Sequence, residues 1–201
     1  MNREEILRLM HGWHQNDAAE RSDQQKGAPL PPAEKSSGST KLIGLPDPFK
    51  TKTKKPLITD CIRDRKSVRS FDDHPLSLSE LSYLLWATQG VKEGEGTKLA
   101  HHVIKRTVPS AGSRHPFETY VIPQKIAGLK RGVYRYIASK NSLAVVKNTP
   151  VSQEAIAEAL CGQTFCAKAP VLLIWTAIPY RTEWRYGTKI SMKVVLLDAG
   201  H

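Results

Sequence analysis

The chain has 201 residues, and its 40% hydrophobic and 24% charged content is ordinary for one globular domain with a sizeable core. It holds no apolar run of membrane-spanning length, and Glu4 and Glu5 stand near its start, so neither a membrane segment nor a secretory signal is expected. Three cysteines without a CxxC pair predict free thiols in a reducing compartment, the cytoplasm, rather than a disulfide framework or a zinc site: Cys61, Cys161 and Cys166.

The net charge is +11, and most of the excess lies in residues 57–201, which hold 20 basic and 12 acidic residues. These charges are scattered along the sequence rather than gathered in a stripe with aromatic side chains between them. The pattern therefore argues against a protein that reads nucleic acid. A positive field of this kind favours an anionic cofactor or an acidic substrate instead.

Residues 1–56 are interpreted as an N-terminal arm, a short helix followed by a flexible linker. Apolar residues at helical spacing predict an amphipathic helix over 2–14, and the Pro-, Gly- and Ser-rich stretch 15–40 predicts a loop or flexible arm. His11 and His14 stand three residues apart on the predicted helix, but no third ligand follows nearby. They are therefore interpreted as surface residues, and no metal site is predicted.

A short helix is predicted over 57–64, and it leads into the basic segment Arg65-Lys66-Ser67-Val68-Arg69. Cations and a hydroxyl beside a helix end can hold a phosphate, because charge-assisted hydrogen bonds to phosphate are strong and directional. A solvated basic turn is the alternative for this segment taken alone.

Ser77 and Glu80 have the spacing of a capping box, which predicts a helix that begins at residue 78. Leucines at helical spacing follow these two residues, and Gly90 marks the end of the helix. The helix is interpreted as part of the core, and no chemical role is assigned to it.

The most informative stretch is Pro109-Ser110-Ala111-Gly112-Ser113-Arg114-His115-Pro116, and a predicted strand over 117–123 follows it at once. Its small side chains allow the backbone to approach a flat ligand closely. The Arg-His pair can donate hydrogen bonds to carbonyl or phosphate oxygens. A plain loop between two prolines is the alternative when this stretch is considered alone.

The second half of the chain alternates strand and helix signals. Residues 132–146 predict a β-hairpin whose turn ends at Asn141, and a helix capped by Ser152 follows. The apolar run 170–177 predicts a central strand, because buried strands form continuous apolar segments. A last helix is predicted from about Lys189 to the end of the chain.

Four segments taken together resemble the nitroreductase-like flavoenzymes, and within them most closely the SagB-type dehydrogenases, which oxidise azoline rings in thiazole/oxazole-modified peptides. The segments are Arg65–Phe71, Pro109–Pro116, Trp184–Gly187 and Leu196–His201. The resemblance covers about residues 57–201 and implies an α+β, three-layer nitroreductase-like domain. It also implies FMN as the cofactor, a homodimer, and a small-molecule or modified-peptide substrate, with neither nucleic acid nor membrane as a partner.

The resemblance also implies the site residues. Arg65, Lys66 and Ser67, with Arg69 close by, would hold the phosphate of FMN. Tyr186 and Lys189 lie in the region where oxidases of this group use a Lys or Tyr near the flavin for proton transfer. The small-residue loop would contact the flavin ring and its surroundings, across a dimer interface, through Pro109, Ser110, Ala111, Gly112, Arg114 and His115.

In the family that the chain resembles, the Leu-Asp-Ala-Gly-His segment lies inside a long helix, and later elements complete the flavin site and the dimer. We therefore expect a partial domain, because this chain ends at His201. One hypothesis is an FMN-dependent oxidoreductase that dehydrogenates azoline rings. The alternative is an inactive truncated remnant or a non-catalytic interaction subunit, and flavin retention together with dimer formation would distinguish the two.

Overall fold

The computed structural model describes residues 2–11, 21–38, 41–52, 56–92 and 104–201. The chain divides into two units by its internal contacts. The first unit is formed by Met1–Ser36, Gln89–Glu118 and Trp175–His201, and the second by Ser37–Thr88 and Thr119–Ile174.

Five strands form one sheet in the order β1-β4-β3-β2-β5. The pairs β1/β4, β3/β4 and β2/β3 are antiparallel. Together with the helices, this sheet gives the α+β class that the sequence predicts. The strands are β1 Leu42–Gly44, β2 Phe117–Pro123, β3 Val133–Ile137, β4 Ser142–Lys147 and β5 Val171–Ala177.

The predicted hairpin is confirmed as β3 and β4, joined by a short 3-10 turn over Ala138–Lys140. Asn141 closes the turn with φ +41°, a left-handed conformation that Asn adopts more readily than most residues. Tyr134, Tyr136 and Leu143 of the hairpin are buried, so the hairpin supplies much of the apolar core of the second unit.

Strand β1 lies in the segment that the sequence analysis assigns to a flexible linker. Its Leu42 pairs with Ala144 of β4, and Gly44 pairs with Ser142. The strand is only three residues long, and such a short run carries no measurable alternation of apolar and polar residues. The linker interpretation was therefore wrong for this part of the chain.

The prediction of a strand over 170–177 is confirmed, but its central position was wrong. β5 lies at one edge of the sheet, and its residues from Ile174 to Ala177 are exposed. A continuous apolar run indicates only that a segment favours burial. It cannot distinguish an inner strand from an edge strand of the same composition.

The predicted helices begin and end close to their expected positions, whereas the helix over Tyr180–Tyr186 was not predicted. Ser77 and Glu80 form the predicted capping box: the Glu80 N–H donates to Ser77 Oγ at 3.2 Å, and the Ser77 N–H donates to the Glu80 carboxylate at 2.8 Å. Ser152 caps its helix through the N–H of Ala155, also at 3.2 Å. The helices are α1 Arg3–His11, α2 Ile58–Asp64, α3 Leu78–Gln89, α4 Gln153–Ala159, α5 Tyr180–Tyr186 and α6 Thr188–Gly200.

Candidate active site

The small-residue loop has an unusual backbone. Ala111–Ser113 form a short 3-10 turn, in which Gly112 has φ +57° and Ser113 has φ +52°. His115 follows with φ +45°. A left-handed conformation costs a residue with a side chain about 1–2 kcal/mol. Ser113 and His115 both adopt it, so other interactions must hold the loop in this shape, and strain of this kind is concentrated at functional sites.

An aspartate of α6 holds the start of the loop. Ser110 Oγ donates to Asp198 Oδ2 at 2.6 Å, and the Ala111 N–H donates to Asp198 Oδ1 at 3.1 Å. The His115 N–H in turn donates to Ser110 Oγ at 2.9 Å. Asp198 was not among the predicted site residues, although its place in the Leu-Asp-Ala-Gly-His segment was a usable signal. The carboxylate is a positioning group for the loop.

The ring of His115 points into the protein, and only 4% of the residue is exposed. Its Nε2 lies 2.8 Å from the carbonyl oxygen of Ile104, which can only accept, so Nε2 carries the proton. Burial, together with the nearby Arg106 charge, lowers the pKa of His115 to about 4. The imidazole is therefore neutral near pH 7, and its Nε2–H is already used within the protein.

A buried ion pair lies directly after the loop. Arg181 of α5 donates through Nη2 to the carboxylate of Glu118, and both side chains are 3% exposed. Arg181 also donates to the carbonyl oxygens of His115, at 3.1 Å, and Pro32, at 2.8 Å. The Glu118 carboxylate accepts a further hydrogen bond from the Lys35 N–H at 2.8 Å. This network joins the loop, α5 and the N-terminal segment.

The N-terminal segment 21–36 packs along α5 through several further hydrogen bonds. Trp184 Nε1–H donates to the carbonyl oxygen of Ala28 at 3.0 Å, and the Gln24 N–H donates to the carbonyl oxygen of Trp184 at 2.8 Å. The Tyr180 hydroxyl donates to Asp23 at 3.0 Å. The composition of this segment predicts a loop, but no periodic pattern in it reveals these hydrogen-bond partners.

Arg114 is a buried cation with an unusual environment. Only 6% of the residue is exposed, its guanidinium lies 5.5 Å from the centre of the Trp184 ring, and its Nε donates to the carbonyl oxygen of Gly112 at 2.8 Å. Burial lowers the pKa of Arg114, and the like charge of Arg185 lowers it further. Arg185 was not among the predicted site residues.

Tyr186 ends α5 beside the small-residue loop. A Cβ at position 112 would lie 2.9 Å from the Tyr186 hydroxyl and 2.5 Å from Cδ of Arg185. Gly112 is thus required both for its left-handed φ and for this close approach. Lys189, the other predicted proton-transfer residue, lies in the first turn of α6 and is exposed.

The basic segment predicted to hold a phosphate belongs to the second unit. Arg65 follows the last residue of α2, and Arg65, Lys66, Ser67 and Arg69 are all exposed. The Arg69 guanidinium lies 5.8 Å from the centre of the Phe165 ring. Cations at the C-terminal end of a helix are favoured by its dipole, which explains the local placement of Arg65.

The residues present suit a flavin nucleotide in their chemistry. Exposed guanidinium, ammonium and hydroxyl donors of Arg65, Lys66 and Ser67 fit an anionic phosphate. The half-buried residues 110–113 carry no side chain larger than a hydroxymethyl group, which fits a flat ring. Pro109, at the start of this loop, is exposed.

A separate apolar cavity of about 340 Å³ lies in the second unit, between α4 and β5. Among the lining residues that the structure describes, Cys166 alone has a titratable side chain, and these residues offer no set of groups for acid–base chemistry. The other lining side chains include Phe71, Ile156, Leu160 and Leu172.

The fold and the sequence together define a family. The family model for the Nitroreductase family matches residues 62–201, and the chain belongs to this family. A nitroreductase-like protein of Methanocaldococcus jannaschii is 37% identical over 164 residues, which cover 82% of this chain and 75% of that protein. The family supports an oxidoreductase that uses a flavin.

Two further similarities cover a smaller share of the protein that is compared with this chain. The trifolitoxin-processing protein TfxB of Rhizobium leguminosarum bv. trifolii is 33% identical over 101 residues, which are 49% of this chain and 27% of that protein. The crystal structure of a nitroreductase-like protein from Anabaena variabilis aligns with a TM-score of 0.64 at 24% identity, over 92% of this chain and 33% of that one. The chain thus spans about a third or less of these two proteins. Within its described residues, no helix is long and apolar enough to cross a membrane.

Proposed function

We propose that this chain is an FMN-dependent oxidoreductase that dehydrogenates azoline rings in modified peptides. The observation that carries the proposal is the Tyr186 hydroxyl beside Gly112, because it puts a phenolic oxygen, which as phenolate can accept a proton, next to a loop suited to a flat ring. The similarity to a trifolitoxin-processing protein supports a peptide as the substrate. FMN, when bound, would accept the hydride from the ring that is oxidised.

The roles of the chain's own residues follow from their exposure and partners. Arg65, Lys66 and Ser67, with Arg69 nearby, would bind the phosphate, since all four are exposed to solvent and able to donate. Ser110, Ala111 and Gly112, after Pro109, would lie against the ring, with the Asp198 carboxylate fixing their backbone. His115 is buried with its Nε2 engaged, which supports a positioning role rather than contact with the ring.

Conversion of an azoline to an azole removes one hydride and one proton from the ring. We assign acceptance of this proton to Tyr186, or to Lys189 in the first turn of the following helix, each acting as a base in its deprotonated form. A positioned general base typically contributes about 10²–10⁴-fold to rate. We further propose a homodimer in the cytoplasm, which the exposed Leu196 and Leu197 of α6 and the free cysteines support.

The first experiment is size-exclusion chromatography of the purified chain with FMN, followed by its visible absorption spectrum. We expect flavin to co-elute with a dimer. The loaded protein is then mixed without oxygen with a thiazoline-containing peptide. Loss of the oxidised flavin band, and loss of two hydrogens from the peptide by mass spectrometry, would support the proposal. A protein that retains flavin but leaves the peptide unchanged would exclude azoline dehydrogenation.

Tyr186→Phe tests the proton-transfer assignment. We expect kcat for the peptide to fall by about 10²-fold or more, with flavin retained. Tyr180→Phe is the matched control, because this residue lies in the same helix and its hydroxyl is bonded to Asp23, 3.0 Å away. Lys189→Gln distinguishes the two candidates. Equal activity of Tyr186→Phe and the unaltered chain would remove Tyr186 from the mechanism.

A further inference from the structure

We propose that residues 28–35, which we call the strap, hold the small-residue loop in the backbone conformation that would lie against the flavin. The strap, the loop and helix α5 all belong to the first unit of the chain. That the strap fixes the loop is argued from contacts alone. The identity of the ligand that the loop then receives rests on the function proposed above.

The first argument is that the loop needs support from outside itself. Ser113 has φ +52° and His115 has φ +45°, and this left-handed region is unfavourable for residues with a side chain. Arg181 donates through Nη1 to the carbonyl oxygen of His115 at 3.1 Å. A charge-assisted hydrogen bond is stronger than a neutral one, so this bond can hold His115 in a conformation that the residue would otherwise leave.

The second argument is that the same guanidinium binds the strap. Arg181, which is 3% exposed, donates through Nε to the carbonyl oxygen of Pro32 at 2.8 Å. Its Nη2 donates to the Glu118 carboxylate, which also accepts from the Lys35 N–H at 2.8 Å. The planar guanidinium keeps its N–H groups in fixed directions relative to one another, so a shift of the strap turns the group that also holds His115.

The third argument is a second route from the strap to the loop, through Trp184. The indole Nε1–H of Trp184 donates to the carbonyl oxygen of Ala28, at the start of the strap, at 3.0 Å. The Arg114 guanidinium lies 5.5 Å from the centre of the Trp184 ring, and Arg114 Nε donates to the carbonyl oxygen of Gly112 at 2.8 Å. The strap therefore positions the indole beside Arg114, and Arg114 in turn holds the backbone of the loop.

The fourth argument is the close packing between the strap and the loop. The space between them is only about 10 Å³, which holds one water molecule at most. The strap residues that line this space are Leu30, Pro31 and Ala33, and the loop residues are Ser113 and Arg114. Closely packed groups transmit a displacement, because no void absorbs it. A movement of the strap is therefore expected to displace the loop.

The first test is amide hydrogen exchange of the full chain, followed by NMR without flavin. Arg181→Lys keeps a positive charge opposite Glu118, but an ammonium lacks the planar fork that bonds the strap and the loop together. We expect the N–H groups of Ala111 and His115 to exchange about tenfold faster relative to those of helix α6. Equal acceleration in the loop and in α6 would show that Arg181 only stabilises the unit, and would overturn the proposal.

Leu30→Ala keeps the proposal testable if Arg181→Lys folds poorly, because Leu30 is only half-buried. This variant opens the packed space beside the loop, so we expect the same two loop N–H groups to exchange several-fold faster. Leu129→Ala removes the same atoms at a half-buried position of the second unit and is the matched control. Equal loop exchange in Leu30→Ala and Leu129→Ala contradicts the role of the strap.

The link to the flavin is tested by a fluorescence titration of the same two leucine variants with FMN. We expect the Kd for FMN to rise several-fold in Leu30→Ala and to stay unchanged in Leu129→Ala. Faster loop exchange in Leu30→Ala, without FMN binding by the unaltered chain, would refute the flavin function and keep the strap as the support of the loop. FMN binding with an equal Kd in both variants would refute the role of the strap at the flavin and keep the function.

Discussion

Two groups of basic residues differ sharply in their surroundings. In the first unit, Arg114 and Arg181 are more than nine-tenths buried and are held by backbone carbonyls, an indole ring and Glu118. In the second unit, Arg65 and Lys66 are exposed. Since burial decides what a charge costs when its partner is removed, the two groups should respond differently to substitution. The buried group maintains the fold, and the exposed group is available to a ligand.

The largest effect is expected at the buried ion pair. Glu118→Gln removes the charge that faces Arg181, and both side chains are 3% exposed. Removing one partner of a buried pair costs about 3–5 kcal/mol, because the other charge is left uncompensated. Urea unfolding should show a loss of about 3 kcal/mol in the free energy of unfolding. A loss below about 1 kcal/mol would contradict the buried arrangement.

The control for this prediction is Asp64→Asn. This variant removes one charge of an exposed ion pair, in which Arg63 Nε lies 2.8 Å from Asp64 Oδ1. No measurable loss of stability is expected there, because solvent screens the pair. The double variant Glu118→Leu/Arg181→Leu should be less unstable than the sum of its single variants, since it leaves no unpaired buried charge.

The second largest effect is a pH dependence caused by His115. The pKa of this residue is about 4 in the folded chain and near 6.5 when unfolded. Between these values the unfolded state binds a proton that the folded state does not. Stability therefore falls as pH falls from about 6.5 to 4, by up to roughly 3 kcal/mol, and His115 contributes no further loss below 4.

His115→Asn is the matched variant, because Asn tolerates the positive φ of this position and does not titrate. Chemical unfolding at several pH values should give a curve for His115→Asn that is flatter than that of the unaltered chain over this window. Parallel curves would show that His115 is not buried and neutral.

A smaller effect is expected at Gly112, where two costs can be separated. Gly112→Ala must adopt φ +57° and displace Arg185 and Tyr186, whereas Gly128→Ala must adopt φ +79° in open space. Each should lose about 1 kcal/mol of stability from the backbone conformation. Gly112→Ala alone should also weaken FMN retention, measured by absorbance after size exclusion. Equal retention by both variants would separate the small-residue loop from flavin binding.

The local elements of the fold could be predicted because their signals are short-range. The capping box at Ser77 and the hairpin turn at Asn141 depend on residues a few positions apart. Strand β1 and the edge position of β5 depend on which strands pair across the sheet. Pairing between distant segments leaves no periodic pattern in either segment, so these features were missed.

In the candidate site, too, short-range features could be predicted and contacts between distant residues could not. The composition of the loop predicts that its backbone approaches a flat ligand, and this stays a prediction; what the structure shows is a close approach of the Arg185 and Tyr186 side chains to Gly112. The charges that hold the loop were not predictable, because Asp198 lies 88 residues from Ser110. Nor does the sequence distinguish a buried Arg114 from an exposed Arg65, since burial depends on the tertiary fold.

The smallest effect on stability is expected in the exposed basic segment, and it sharpens the contrast with the buried one. Arg65→Gln should change the free energy of unfolding by less than about 0.5 kcal/mol, because no buried contact is lost. The same variant should raise the Kd for FMN about tenfold or more, since a charge-assisted hydrogen bond to phosphate is removed. Lys52→Gln makes the same change of net charge at another exposed position of the second unit. If both variants weaken FMN equally in a fluorescence titration, the segment acts only through the overall field, and the assignment of Arg65 as a phosphate ligand fails.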